Sequence, residues 1–324
     1  MKKIVAGFLS SFYHAGLVLS QASYRLVPFR IRKVPARVIS IGNLTWGGTG
    51  KTPLTAKLAQ DLADMGKKVA VLTRGYGEDE VAELRKKLPG IPVIVGRDRV
   101  KSAREAIAKH GADTLILDDG FQHIRLHRDV DVVNINSLEP FGPGGLIPLG
   151  TLREPVSHLS RAHVFVLSKS DLGKKNLGSI RQKLLAVKPD AVIFEAVHRP
   201  IQFTDALRSR TVPLAELKGH KIATICAIGD PFSFEKTVEN VGAEIVFAAR
   251  FDDHHPYTQK ELLDFVRSAR QIGAREVVTT EKDFFRIEPL LKTDPELTNL
   301  NFLVLEIELE LNDEEDFVRR CLNP

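Results

Sequence analysis

A lysine and a threonine that follow a run of glycines, in the order Gly47, Gly48, Gly50, Lys51 and Thr52, are the side chains of this sequence best suited to hold an anion. The glycines let the backbone curl until successive N–H groups point at a phosphate. Lys51 reaches for the outer phosphates and Thr52 offers a hydroxyl to Mg²⁺, while Pro53 suits the first turn of a helix whose N-terminus favours negative charge. Residues 37–55 read RVISIGNLTWGGTGKTPLT, so Val38, Ile39 and Ile41 supply a buried strand leading into this turn. The pattern G-x-x-x-x-G-K-S/T asks for glycine where Thr45 stands, so Thr45, Trp46, Gly47, Gly48, Thr49 and Gly50 form a phosphate loop one glycine short. The expected ligand is a nucleoside triphosphate with Mg²⁺.

The acidic partner of such a site belongs at the end of a neighbouring strand. The apolar run 114–117 ends in Asp118 and Asp119. One of the two carboxylates is expected on the metal or its water shell, and the other is expected to orient the nucleophile or the outer coordination shell. Polar donors follow at once in GFQHIR, where His123 and Arg125 face a phosphate or a sugar hydroxyl, and Arg74 stands at another strand end. The segment 145–155, GLIPLGTLREP, sets a cation beside a carboxylate. Either Arg153 neutralises a transferred phosphoryl group while Glu154 assists the metal, or the pair closes a rigid loop as a structural salt bridge. In FDDHHPY, residues 251–257, a zinc site lacks further ligands. General base chemistry fits better, with one of His254 and His255 oriented by Asp98 or Asp253. Ser168-Lys169-Ser170-Asp171 also has the Lys and Asp of a guanine-reading segment, which keeps a GTPase as an alternative class.

Positioning these groups requires strands that end on one edge. Helix and strand signals alternate after the loop: helix 54–65, strand 68–73, helix 100–110, then strands 113–117, 130–135, 163–167 and 191–194. They predict an α/β fold, a P-loop NTPase-like parallel sheet with helices on both faces, and ligands beyond the carboxyl ends of the strands. A second, smaller α/β domain follows, with strands 221–227, 244–248 and 276–280 and helices 232–241 and 259–272. Extended segments 194–203 and 302–311 are expected to pair as a connector, and 313–322 to form a terminal helix. The expected domains are 1–36, 37–200, 201–311 and 312–324.

Composition excludes little, but charge is unevenly spread. The first 60 residues hold nine of the 46 lysines and arginines and no acid, so the rest of the chain is slightly acidic. Cys226 and Cys321 offer no disulfide framework and no metal-ligand spacing, as in a protein of the reducing cytosol. Residues 4–24 carry no formal charge and lead to Arg25, Arg30, Arg32, Lys33 and Arg37. Export would part a nucleotide enzyme from its ATP, and Ser10, Ser11, His14, Ser20, Gln21 and Ser23 make a poor membrane span. At helical spacing Ser10, His14 and Gln21 gather on one side, with Ile4, Val5, Phe8, Leu9, Phe12 and Leu19 mostly on another. The pattern predicts an interfacial helix with a basic collar for anionic lipid head groups. Its alternative is a helix docked on the domain's own core. A nucleic-acid arm fits the pattern less well, because aromatic and apolar residues outnumber the charges, so no nucleic acid is expected as a partner and no obligate protein partner is evident.

The phrases GNLTWGGTGKTP, LTRGYG, VGRDRV, LDDGFQHIRLHRD, GLIPLGTLREP, CAIGDPFSF, DDHHPYT and VVTTEKD, running in order from residue 42 to residue 283, resemble the tetraacyldisaccharide 4′-kinase family. Thr45 is the family's own form of the loop. Two departures are Gly77-Glu78-Asp79-Glu80-Val81, where the family has Gly-Asp-Glu-Pro, and Asp252 where proline is common. The resemblance implies ATP with Mg²⁺, phosphorylation of the 4′-hydroxyl of tetraacyldisaccharide 1-phosphate to lipid IVA, and a place at the cytoplasmic face of the inner membrane. It implies catalysis by Asp98, His254, Asp119, His123, Arg153 and Glu154. A soluble small-molecule kinase is the remaining alternative.

Overall fold

The computed structural model describes residues 2–323 save Tyr76, Ala206 and Ser209, and not the side chains of residues 2–5, 21, 25 and 28. The expected facings of Ile4, Val5, Gln21 and Arg25 therefore lie outside the described residues, as does Tyr76 of LTRGYG. The chain divides into two compact units. One comprises Met1–Tyr76, Leu84–Val197 and Leu309–Pro324, and the other Gly77–Glu83 and His198–Glu308.

In chain order the elements begin with α1 (Lys2–Leu26), β1 (Arg37–Gly42), α2 (Lys51–Asp64), β2 (Val69–Thr73), α3 (Glu78–Lys87) and β3 (Val93–Val95). Then come α4 (Arg99–His110), β4 (Thr114–Asp118), β5 (Val130–Asn136), β6 (Val164–Ser168), α5 (Leu177–Val187) and β7 (Val192–Asp205). The first unit's sheet has the order β7-β6-β5-β1-β4-β2-β3 with parallel pairing throughout. Its strands are covered on both faces, which is why they read as apolar runs and not as an alternation. Ile39 and Ile41 pack with Leu54 and Leu58 of α2, while Val38 packs with Val100 and Ala103 of α4. Beside them Phe165 and Leu167 of β6 pack with Ile180 and Leu184 of α5.

The second unit adds β8 (Arg210–Val212), β9 (Lys221–Cys226), α6 (Pro231–Asn240), β10 (Glu244–Arg250), α7 (Gln259–Ile272), β11 (Glu276–Thr280), α8 (Glu281–Leu291) and β12 (Asn301–Leu311). Its strands β10, β9, β11 and β12 are parallel neighbours, and β8 pairs antiparallel with β7. Helix α7 starts at a capping box between Thr258 and Glu261 and stops at Gly273, whose φ of 89° suits glycine. The chain then returns to the first unit in α9 (Glu314–Leu322), capped by Asp313.

The expected pairing of 194–203 with 302–311 is present, because β7 and β12 are hydrogen-bonded neighbours. Five elements were not expected: α3, β3, α5, β8 and α8. Helix α8 contains Pro289, which hides its periodicity, and α3 falls in the stretch where the family pattern departs.

Helix α1 is docked on its own unit, the alternative the sequence offered, and leaves large apolar side chains exposed. Ser10 is buried and its hydroxyl donates to the Leu146 carbonyl, so the helix docks on its own unit. Phe8, Leu9, Phe12 and Leu19 are nevertheless exposed, at 67%, 50%, 63% and 71%. The sequence placed Ser10 on the polar, water-facing side, whereas the structure turns it inward. No helix among the described residues is long and apolar enough to cross a membrane.

One close approach aims the site. A Cβ on Gly42 would stand 2.5 Å from Cβ and 2.7 Å from the backbone nitrogen of Phe121, so β1 ends against the segment that follows β4. Gly42→Ala should lower the free energy of unfolding by about 1–3 kcal/mol, read as a lower denaturant midpoint. An unchanged midpoint would show that the two segments part without cost.

Candidate active site

The phosphate loop connects β1 to α2 and is held by polar side chains from three strand ends. The Asn43 amide donates to the Thr45 carbonyl at 2.7 Å and to the Thr49 hydroxyl at 3.0 Å. Asn134 of β5 and Ser168 of β6 both donate to the Thr49 carbonyl. Gly47 and Gly50 take φ values of 116° and 83°, a region in which a Cβ is costly, so glycine is needed there. The loop residues thus lie where the sequence placed them, with Thr45, Thr49 and Thr52 buried and Trp46 exposed.

Asp118 and Asp119 end up in opposite surroundings. Asp118, 4% exposed, accepts from the hydroxyls of Thr55 at 3.0 Å and Thr73 at 3.3 Å. Asp119 takes a left-handed φ of 51° and turns its carboxylate to two cations. Lys51 Nζ lies 3.7 Å from it and Arg153 Nη1 donates to it at 2.6 Å. Burial pushes the Asp119 carboxyl up, but the charges of Lys51, Arg153 and Arg99 together outweigh this and hold it below the usual carboxylate range.

Arg153 and Glu154, neighbours in sequence, separate in space. Arg153 also donates to the Asn43 side-chain oxygen at 3.1 Å and so reaches the phosphate loop. Glu154, 1% exposed, instead accepts from Arg161 at 2.9 Å and lies 2.7 Å from His158 Nδ1. Of the two expectations for the Arg153–Glu154 segment, this geometry supports the structural one, with Arg161 and His158 as partners of Glu154. Its carboxylate closes the loop as a structural pairing, and the residues that reveal it lie in the turn Val156–Arg161.

Asp98 caps α4, accepting from the N–H groups of Val100 and Lys101, and pairs with Arg125 at 3.1 Å. Those backbone donors foremost, with Arg125, lower its pKa. In the second unit His254 has a φ of 63°, and its Nδ1 lies 3.0 Å from Asp79 Oδ2. The ring's carboxylate partner is therefore Asp79, with Asp253 farther away at 3.8 Å from Nε2. Asp79 was not singled out from the sequence. Its signal lay in Gly77, where a Cβ would stand 3.0 Å from the His254 ring, and in the acidic run that follows. Arg286 binds Asp283 at 2.7 Å and approaches Asp79 at 3.8 Å, so the histidine's support is itself anchored. The expectation that Asp98 and His254 act together joins residues of different units.

For Mg²⁺ the donor set fits. A hard cation that stays largely hydrated needs one or two protein oxygens besides the phosphates. The Thr52 hydroxyl opens α2, and the Asp118 carboxylate at the end of β4 is a hard oxygen donor of the kind Mg²⁺ takes.

With this geometry in place, the comparisons decide the family. The sequence profile of the tetraacyldisaccharide-1-P 4′-kinases matches residues 4–323. The chain belongs to this family. A tetraacyldisaccharide 4′-kinase of Halothermothrix orenii is 37% identical over 97% of this chain and 91% of its own. One of Syntrophus aciditrophicus is 37% identical over 95% and 89%. The crystal structure of LpxK from Aquifex aeolicus, solved in complex with ATP, is similar with a TM-score of 0.73 and 26% identity over 99% of each chain.

His123 sits at the same sheet edge and is not a cation. Burial, and after it the charges of Arg99 and Arg128, lower its pKa from 6.5 to about 4. Between those values the unfolded chain takes up a proton that the folded chain refuses. This share of stability is therefore whole above about pH 6.5 and falls as the pH drops toward 4. His123→Gln should flatten the loss of the urea midpoint over that window, and an equally steep acid limb in the variant would place the titration elsewhere.

Proposed function

We propose that this chain transfers the γ-phosphoryl group of ATP to the 4′-hydroxyl of tetraacyldisaccharide 1-phosphate, giving lipid IVA. The observation that carries the reading is the convergence of Lys51, Arg153 and Asp119 beside a phosphate loop, in a chain of this family. Phosphoryl transfer asks little covalent chemistry of a protein and much placing of positive charge. The loop N–H groups and Lys51 cradle the β- and γ-phosphates. Arg153 sits where charge accumulates as the phosphoryl group leaves. Mg²⁺, held by Thr52 and Asp118 together with the phosphates, supplies further neutralisation of the phosphate oxygens.

A sugar hydroxyl is a weak nucleophile at neutral pH and needs a proton acceptor. Asp119 is poorly suited, because the cations around it lower its basicity. We assign the proton to His254 Nε2, with Nδ1 bonded to Asp79, which fixes the ring's orientation. Asp98 remains the carboxylate assigned to the same step, and neutral His123 serves as a hydrogen-bond partner for substrate. Ser168 spends its hydroxyl on the phosphate loop, which supports the loop for either nucleotide and gives guanine reading no separate weight.

The acylated substrate lies in a membrane, and the exposed apolar face of α1 suits the cytoplasmic surface of the inner membrane. Arg30, Arg32 and Lys33 stand exposed just after it to meet anionic head groups. Phe8→Ser with Phe12→Ser should reduce co-sedimentation with anionic phospholipid vesicles while leaving the melting temperature in place. A melting temperature that falls with vesicle binding unchanged would favour a helix whose only task is docking.

The chemical reading is tested by mass spectrometry of tetraacyldisaccharide 1-phosphate incubated with protein, ATP and Mg²⁺. A gain of one phosphoryl group is expected, with Lys51→Ala about 10²–10³-fold slower. Asp98→Ala and His254→Ala should each lower kcat by about 10²-fold or more with ATP binding retained. Variants at either position that kept the parent's turnover would remove it from the chemistry.

A further inference from the structure

Along α1, Ala6, Ser10, Tyr13 and Leu17 are less exposed than their neighbours Phe8, Leu9 and Phe12, and their spacing puts them on one face. Two hydroxyls on that face make specific bonds. Ser10 Oγ donates to the Leu146 carbonyl at 2.8 Å and accepts the Leu149 N–H at 3.0 Å. The Tyr13 hydroxyl donates to the Arg153 carbonyl at 2.8 Å.

The strip that receives these bonds is also sewn to the phosphate loop. The Trp46 N–H donates to the Thr151 carbonyl at 2.7 Å, and the Arg153 N–H to the Leu44 carbonyl at 2.8 Å. Arg153 is thus gripped on both sides of its backbone, by the loop at its N–H and by α1 at its carbonyl. Its guanidinium then bonds Asp119 and Asn43. From the Tyr13 oxygen to the Asp119 carboxylate the path runs through a single residue.

We propose that Tyr13 is a positioning residue for phosphoryl transfer, holding the Arg153 backbone so that the guanidinium stands at Asp119 and the phosphate loop. The inference rests on the reading that Arg153 acts on the transferred group. It makes α1 part of the site's construction: the helix that exposes Phe8 and Phe12 on its outer side sets a phosphate-site cation from its inner side.

The test uses the full chain with ATP, Mg²⁺ and tetraacyldisaccharide 1-phosphate in mixed micelles, with rates referred to the folded fraction measured in the same buffer. Tyr13→Phe keeps the ring and removes the donor. It should lower kcat about three- to tenfold with KM for ATP within about twofold, and leave vesicle co-sedimentation at the parent level. The decisive readout is a double-mutant cycle. In an Arg153→Ala background Tyr13→Phe should change kcat by less than about twofold, because the group it positions is gone. A structural role would cost the same factor in both backgrounds, and that outcome, or a Tyr13→Phe enzyme with the parent's kcat, overturns the proposal. Arg153→Ala with the parent's kcat would instead sink the reading of Arg153 on which the proposal stands.

Discussion

Lys51 and Arg153 wait beside the phosphate loop on either side of one carboxylate oxygen, and without it the two like charges would repel. Asp119 relieves this by standing within pairing distance of both. It does so from a left-handed backbone, a conformation that non-glycine residues seldom take. The turn at the end of β4 sends two successive carboxylates in different directions. Asp118 goes inward to the Thr55 and Thr73 hydroxyls, and Asp119 goes to the cations. One backbone turn thereby gives two chemically alike side chains separate tasks.

The same division of labour holds the loop. A glycine-rich turn is entropically expensive to fix, and here buried amides and a hydroxyl do the fixing. Asn43, Asn134 and Ser168 all bond to Thr49, from the ends of β1, β5 and β6. Because each is buried, loss of the contact would leave a polar group unsatisfied, a cost of about 1–3 kcal/mol that keeps the loop in one shape. A preorganised loop presents its donors to the transferred phosphoryl group without rearrangement during the reaction.

The strand, the glycine turn and the helix around Lys51 were legible because each is written in adjacent residues. So were α7, with its cap and glycine stop, and the strand ending in Asp118. What escaped was written across the chain. Nothing near Glu154 says whether it will take a metal or the guanidinium of Arg161 seven residues on. The bond from Asp79 to His254 spans 175 positions, and Asp79 sits in the acidic first turn of a helix whose short, charged sequence reads as a loop. Sequence periodicity also assigned α1 a polar face and an apolar face, and it took the polar one for the wet one.

That inversion follows from what each side of α1 has to pack against. A face carrying Ser10 and Tyr13 docks by hydrogen bonds to loop carbonyls, for which a small or hydroxyl-bearing side chain is required. Large apolar side chains would crowd those carbonyls and leave them unbonded, so Phe8, Phe12 and Leu19 are turned away. Each would gain about 1.5–3 kcal/mol on leaving water, a gain the protein's own core does not collect from them. A lipid interface would collect it without disturbing the docked face. The hydroxyls that make α1 too polar to span a bilayer are the groups that tie it to the Arg153 loop, so one helix can lie on lipid and still brace the phosphate site.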